Sequence, residues 1–428
     1  MAKRHRPNIL VMISHDTGRH VSPYGVETVD TPNFARLAGE AVQFNRAFST
    51  CPHGSPARAA LFSGLYPHTV GVMGNVGLEP GWRFPDDQLH AAQIFGSDGY
   101  ETWLLGLQHE TYMPETLGFD RVDTGFSIVH AADHLEQALA ERDTSRPFYC
   151  QLGCVETHRP WDKYDTPPDD RLGVTVPRHL AGGESTRADL AQLQGMIKRL
   201  DNGLGRVLHT VDRNGLTENT IVVVTTDHGL ALPHAKGTLF DAGLEVLLFM
   251  RYPGIWPAHT CDGLVSHVDI LPSLLEAAEI RVPRKLQGMS LVPTLADERR
   301  TPRTAVFAEK TFFHFYEPLR MVRTADHKYI RNFEFCRQTE TPLDLIHSGA
   351  FRDLENCYCG GHATEQLYDL NTDPCEFRNI TDNWVHGRLR VGMRDRLAKW
   401  MDDTDDPLLD GPISSPYYRR AVDEMFDD

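Results

Sequence analysis

Three short polar clusters in this chain carry residue types able to do chemistry, and each ends or opens a regular element. Ser14-His15-Asp16 closes an apolar run at residues 8–13, and Asp227-His228-Gly229 closes another at 220–226. Gly54-Ser55-Pro56-Ala57-Arg58 opens a helix that continues through Ala59, Ala60 and Leu61. Taken singly, each has a plain structural reading: a turn with a capping aspartate, a strand-end turn, and a loop entering a helix. Together they say more, because all three fall where an open α/β sheet gathers its ligands, at the carboxyl ends of strands. Arg58 stands one turn into its helix. Its guanidinium could hold an oxyanion there, aided by the positive end of the helix dipole, and the competing reading is an ordinary surface arginine.

The elements that must position these clusters are legible from periodicity. The continuous apolar run at 8–13 and the apolar-rich stretches at 100–105, 148–155, 220–226 and 246–251 predict buried strands, and 42–48 suggests another. Thr31-Pro32 predicts a helix start with Thr31 as cap and proline at the first helical position. Residues 187–208 have helical spacing, with Leu190, Leu193, Ile197, Leu200, Leu204 and Val207 on one face, and 268–278 reads as a short helix interrupted by Pro272. Strands alternating with helices indicate an α/β fold with a largely parallel sheet. Near residue 300 the texture changes to strand-like pieces at 305–308, 319–324 and 328–332, then a helix around 389–400 and an acidic tail. That pattern predicts a catalytic domain at 1–300 and a smaller α+β domain at 301–428.

Composition sets outer bounds. At 428 residues with 41% hydrophobic and 24% charged residues, the chain is an ordinary globular sequence long enough for two domains. A formal charge of −16 argues against nucleic acid or an anionic membrane as a general partner. The basic start Lys3-Arg4-His5-Arg6 is followed by no signal-type apolar region, and the expectation is a cytoplasmic protein. Eight scattered cysteines fit reduced thiols, with Cys357-Tyr358-Cys359 a weak metal candidate lacking a second pair. The tail Pro416-Tyr417-Tyr418-Arg419-Arg420 suggests packing on a second subunit, hence a homo-oligomer.

The order and spacing of longer blocks resemble the sulfatases. The blocks are Asn8-Ile9-Leu10 leading to His15-Asp16, Thr31-Pro32-Asn33, Gly54 to Arg58, Asp227-His228-Gly229 and Lys236 to Gly243. Asp269-Ile270-Leu271-Pro272, Leu367-Tyr368-Asp369-Leu370, Asp373-Pro374 and Glu376 complete them. The resemblance spans nearly the whole chain and is strongest to the heparan N-sulfatase-like and arylsulfatase branch. It implies the alkaline phosphatase fold, with a small C-terminal sheet domain, and hydrolysis of sulfate monoesters by a hydrated formylglycine and one divalent metal ion. Carried over residue by residue, the metal ligands would be His15, Asp16, residue 54, Asp227 and His228. Arg58 and Lys236 would bind the sulfuryl group, and His158 or His109 would assist the leaving group. The family usually has Asp at the position of His15 and often Asn at that of His228, so imidazole weakens the case for Ca2+ and raises that for Mn2+ or Zn2+. A lysine usual in the family is replaced by Leu107.

Residue 54 is written as glycine where the resemblance places the cysteine that becomes formylglycine. One reading is that the letter records a formylglycine made by a formylglycine-generating enzyme. The other is a true glycine, hence a catalytically inactive, sulfatase-like binding protein. A third alternative keeps the enzyme but changes the anion, to phosphonate monoesters or phosphodiesters. The implied partner is a small sulfated substrate.

Overall fold

The apolar runs pair into one large sheet whose central strands are buried on both faces. In a computed structural model, which describes residues 6–77, 81–301, 303–335, 339–354 and 361–426, all seven residues of β1 (Asn8–Ser14) are buried. The further strands of this sheet are β2 (Val42–Phe48), β3 (Glu101–Gly106), β4 (Arg121–Thr124), β5 (Phe148–Gly153), β6 (Thr220–Thr226), β7 (Glu245–Val246), β8 (Leu248–Arg251) and β9 (His259–Ser266). They stand in the order β4-β3-β5-β1-β6-β8-β2-β7, with β9 pairing β2. The β1–β5, β1–β6, β3–β4, β3–β5 and β2–β9 pairs are parallel, whereas β8 runs antiparallel to β6 and β2, and β7 to β2. The sheet is thus mixed but mostly parallel and flanked by helices, as the sequence predicted.

Each sheet face carries its own apolar layer. On one side Leu10, Met12, Trp103 and Val224 pack against Leu193, Leu200, Leu204 and Val207 of the helix Glu184–Arg213. On the other, Ile9, Val11, Ile13 and Val223 meet Leu61, Phe62, Leu271 and Leu275. The long helix exceeds its predicted span at both ends. Pro272 does not interrupt its helix, Ile270–Ala277, because it lies in the first turn, where a missing N–H costs nothing. Thr31 does not cap the helix Pro32–Glu40 through its side chain. Its hydroxyl instead bonds Ser22, and the carboxylate of Asp201 accepts from the backbone N–H groups of Asn33 and Phe34.

A second, antiparallel sheet follows: β10 (Val306–Phe312), β11 (Tyr316–Arg323), β12 (His327–Asn332) and β13 (Glu365–Asp369) in sequential order. The helix Gly387–Asp403 lies over it through Met393, Leu397 and Trp400. The two sheets share an apolar seam of Phe48, Leu239, Leu244 and Leu264 against Val306, Leu319 and Met321. Beside that seam a buried ionic network ties them, with Lys328 Nζ 2.6 Å from Asp241 and 2.8 Å from Glu376, and Arg323 2.9 Å from Asp241. Removing one partner of such a buried pair costs about 3–5 kcal/mol.

Among the described residues Cys51, Cys150, Cys154, Cys261 and Cys375 are free thiols. Cys357 and Cys359 lie outside the described residues. No described helix is long and apolar enough to cross a membrane. Tyr417 and Tyr418 of the tail are exposed.

Candidate active site

The ends of β1 and β6, which are neighbours in register Ser14 to Thr226, deliver two acidic residues to one point. Asp16 takes a left-handed backbone, φ 55°, a conformation aspartate tolerates better than most residues at a cost of about 1–3 kcal/mol. The surroundings hold it there. Its backbone N–H donates to Asp227 Oδ1 at 3.0 Å, and Thr17 N–H donates to the Thr226 hydroxyl at 3.1 Å. Thr157, itself at φ 76°, donates its hydroxyl to the carbonyl of His15.

Four predicted ligands converge. One ligand atom from each of His15, Asp16, Asp227 and His228 lies within 4.8 Å of the others, and all four residues are buried. His15 Nδ1 is 2.9 Å from both Asp16 Oδ1 and Asp227 Oδ2. Burial would raise the Asp16 carboxyl, but Lys236, then His15 and His228, outweigh it and hold the group well below the usual range. Asp227 is likewise held low against its burial by His15, His228 and Arg58. Burial lowers the His15 imidazole, and the two aspartates more than reverse this.

His228 tests whether these residues fit a cation. Its Nδ1 is 3.0 Å from the carbonyl of Gly229, which can only accept, so the ring proton sits on Nδ1. In the neutral ring Nε2 carries the lone pair, buried without a hydrogen-bond partner, 2.9 Å from Asp16 Oδ1. Two lone pairs that close repel, and a cation between them removes the conflict. Two imidazoles and two carboxylates form a donor set suited to such an ion.

The helix Gly54–Ser63 brings residue 54 to the same point. All ten of its residues are buried, and Gly64 closes it at φ 68°, as the Ser63-Gly64 pair predicted. A Cβ on Gly54 would lie 3.1 Å from His109 Nδ1, 3.1 Å from His15 Cε1 and 3.4 Å from Asp227 Oδ2. A side chain at 54 therefore projects into the centre of the cluster, with neighbours yielding by a few tenths of an ångström. Ser55 points elsewhere, its hydroxyl accepting from Val76 N–H at 2.9 Å. Arg58 is wholly buried, donating Nε–H to Asp227 Oδ2 at 3.1 Å and Nη2–H to Ser14 O at 3.0 Å. Its Nη1 is buried with no partner, a charged donor awaiting an acceptor. The surface-arginine reading is excluded.

Both predicted histidines arrive. The His109 and His158 rings lie 5.8 and 4.7 Å from that of His15, edge to face. His109 Nδ1 is buried and unpartnered. Burial, then His15 and Arg58, push its pKa down, and burial with Lys236 lowers His158 to about 4. His158 Nδ1 is 2.5 Å from the carbonyl of Arg159, leaving Nε2 as the lone pair, 3.5 Å from Lys236 Nζ.

Lys236 joins the site in a way the sequence did not foretell. Its ammonium makes two 2.7 Å ion pairs, one to Asp16 Oδ2 and one to Asp344 Oδ2. The two carboxylates outweigh burial and raise its pKa. Asp344 comes from beyond residue 300, in a turn with no chemical signature, so only the tertiary contact reveals it. His53, just before Gly54, was also missed; it stacks on Phe313 at 4.7 Å and bonds Asn75. Asp16, His158 and Asp344 form a second group of ligand types, but they surround the Lys236 ammonium, which is already the cation there.

Comparison with known proteins identifies the family. The family model described as Sulfatase matches residues 7–280, and that of the N-sulphoglucosamine sulphohydrolase C-terminal region matches 228–348. An ulvan-active sulfatase of Formosa agariphila is 26% identical over 459 residues, covering 94% of this chain and 76% of that protein. Human N-sulphoglucosamine sulphohydrolase is 26% identical over 469 residues, covering 96% and 93%. Among solved structures, a 2-O glycosaminoglycan sulfatase superposes with TM-score 0.74 at 21% identity, covering 96% of this chain and 95% of that one. That likeness bears on the fold alone. With more than half its length matched by the family model, this chain belongs to the sulfatase family, whose members are sulfuric ester hydrolases.

Proposed function

We propose that the protein hydrolyses sulfate monoesters of a saccharide through a formylglycine at position 54, with one divalent cation held by His15, Asp16, Asp227 and His228. The observation that carries this reading is the direction of residue 54: its absent Cβ points between His109, His15 and Asp227, where a nucleophile must stand. The hydrated aldehyde and the cation would supply an acidified hydroxyl and a positive pole for the sulfuryl oxygens. The donor set, with two imidazoles, favours Mn2+ over Ca2+. The saccharide assignment is supported by the two relatives above, which are named for ulvan and for N-sulphoglucosamine.

The chain's own residues do the rest. Arg58 Nη1 offers a buried charge-assisted hydrogen bond to a sulfuryl oxygen. Lys236 Nζ supplies the second positive contact and would donate a proton to the departing oxygen. His158, neutral near pH 7 and with its lone pair on Nε2, orients that ammonium rather than donating a proton itself. His109, His158 and Asp344 are the partly exposed members of the site, so the leaving group exits between them.

A second reading rests on the letter itself. An encoded glycine has no nucleophilic atom, and the 3.1 Å contacts at its Cβ position suit the absence of a side chain. The protein would then bind sulfated ligands without turnover. Mass spectrometry of the tryptic peptide from Ala47 to Arg58 decides between them. A residue 54 heavier than glycine by one carbonyl unit and reactive to an aldehyde trap supports the enzyme. A plain glycine overturns it.

A further inference from the structure

We infer that Asp344 is a built-in competitor for the sulfate anion, a carboxylate that holds Lys236 until a substrate displaces it and that weakens retention of the released sulfate. This inference rests on the reading that Lys236 contacts the sulfuryl group. Lys236 is clamped by two carboxylates of different character. Asp16 is fully buried on the floor of the site, whereas the Asp344 side chain is 21% exposed at its mouth. An anion entering from solvent therefore meets Asp344 first. Any sulfuryl oxygen that bonds Lys236 must stand close to the Asp344 carboxylate, because both would occupy the free side of one ammonium.

Asp344 is placed, not merely present. Leu345, one residue on, is buried in the large core, and its N–H donates to Pro342 O at 2.9 Å. Pro342 packs over Gly237, whose φ of +80° carries the chain out of Lys236. Leu343 N–H donates to His314 Nε2 at 3.3 Å. Ser348 then caps the following short helix through Phe351 N–H. Anchored on both sides, the turn keeps the Asp344 oxygen 2.7 Å from Lys236 Nζ. Nothing in the packing needs a charge at this partly exposed position, since an amide of the same shape also accepts a hydrogen bond from lysine. What the charge adds is electrostatic: it neutralises Lys236 in the empty site, and it repels a bound dianion. Asp344 acts through Lys236 and is a positioning residue.

Binding of inorganic sulfate to the whole protein, with divalent metal present, tests this by isothermal titration against Asp344→Asn, with thermal unfolding of both as a check on folding. The expected result is sulfate binding about tenfold tighter in Asp344→Asn, with a matching drop in the inhibition constant of sulfate wherever turnover is measured. Asp344→Ala should shift in the same direction, which a lost structural contact would not produce. Sulfate binding that is unchanged or weaker in both variants, with normal binding by the native protein, overturns the inference alone. Failure of the native protein and the variants to bind sulfate overturns the Lys236 anion contact and the inference with it.

Discussion

Replacing Arg58 by lysine separates what that side chain does for the fold from what it does for an anion. The guanidinium divides its donors three ways: Nε to Asp227, Nη2 to Ser14 O, and Nη1 to nothing. Lysine keeps the positive charge beside Asp227, but its donors share one nitrogen and cannot span those directions. Arg58→Lys should therefore cost about 1–2 kcal/mol of stability, roughly one net hydrogen bond plus imperfect packing. It also removes the free donor. A hydrogen bond to a charged partner is worth about 1.5–3 kcal/mol, so sulfate affinity should fall by about 10- to 100-fold. Arg58→Ala strips the counter-charge from Asp227 and should lose about 3–5 kcal/mol, more than the lysine variant. Urea unfolding and sulfate titration on the same preparations read both quantities, whatever the state of residue 54. A folded Arg58→Lys protein that binds sulfate as tightly as the native one would refute the anion-site argument.

Three further outcomes are expected. Mn2+ at a hundredfold excess over its dissociation constant should raise stability by about 2.7 kcal/mol, and Asp227→Asn should abolish the shift; a thermal scan showing no Mn2+ effect in the native protein rules out the cation site. His90 is fully buried and desolvation depresses its pKa to about 3, so below about pH 6.5 the unfolded chain takes up a proton that the folded one refuses. Its stabilising neutrality is complete above that value and is lost progressively down to about pH 3, reaching about 2 kcal/mol by pH 5. His90→Asn can still cap Ala92 N–H, so its stability should drop about 2 kcal/mol less between pH 7 and 5, and identical pH profiles would contradict this. Finally, a Cβ at Gly153 would stand 1.8 Å from Leu107 O, a backbone atom that cannot yield. Gly153→Ala should lose at least about 4 kcal/mol, and a melting temperature near the native value would show that the β5 end can move.

Legibility in the sequence followed how locally each feature is encoded. β1 and β6 were readable because their runs are built of apolar and β-branched residues, as burial on both faces demands. β9 and β13 were not: His259–Ser266 mixes polar residues and a glycine, and Glu365–Asp369 has three polar positions in five. Both become strands through their neighbours, β9 in register with β2 and β13 with β12. The helix dipeptides misled in detail for the same reason. Thr31 had a distant rival, Asp201, for the N–H groups it was expected to cap.

By itself the sequence determined where three of the motif clusters gather. His15-Asp16, Gly54 to Arg58 and Asp227-His228 each sit at the end of an element whose pattern is local, and a parallel sheet gathers such ends without further instruction. Tertiary structure alone decided how those residues are engaged. The proton on His228 Nδ1, the unpartnered Nη1 of Arg58, and the carboxylate that Asp344 sets against Lys236 from 108 positions away depend on distances no spacing encodes. A lone aspartate in a turn has no pattern; only the packing of Leu345 and Pro342 gives it a target.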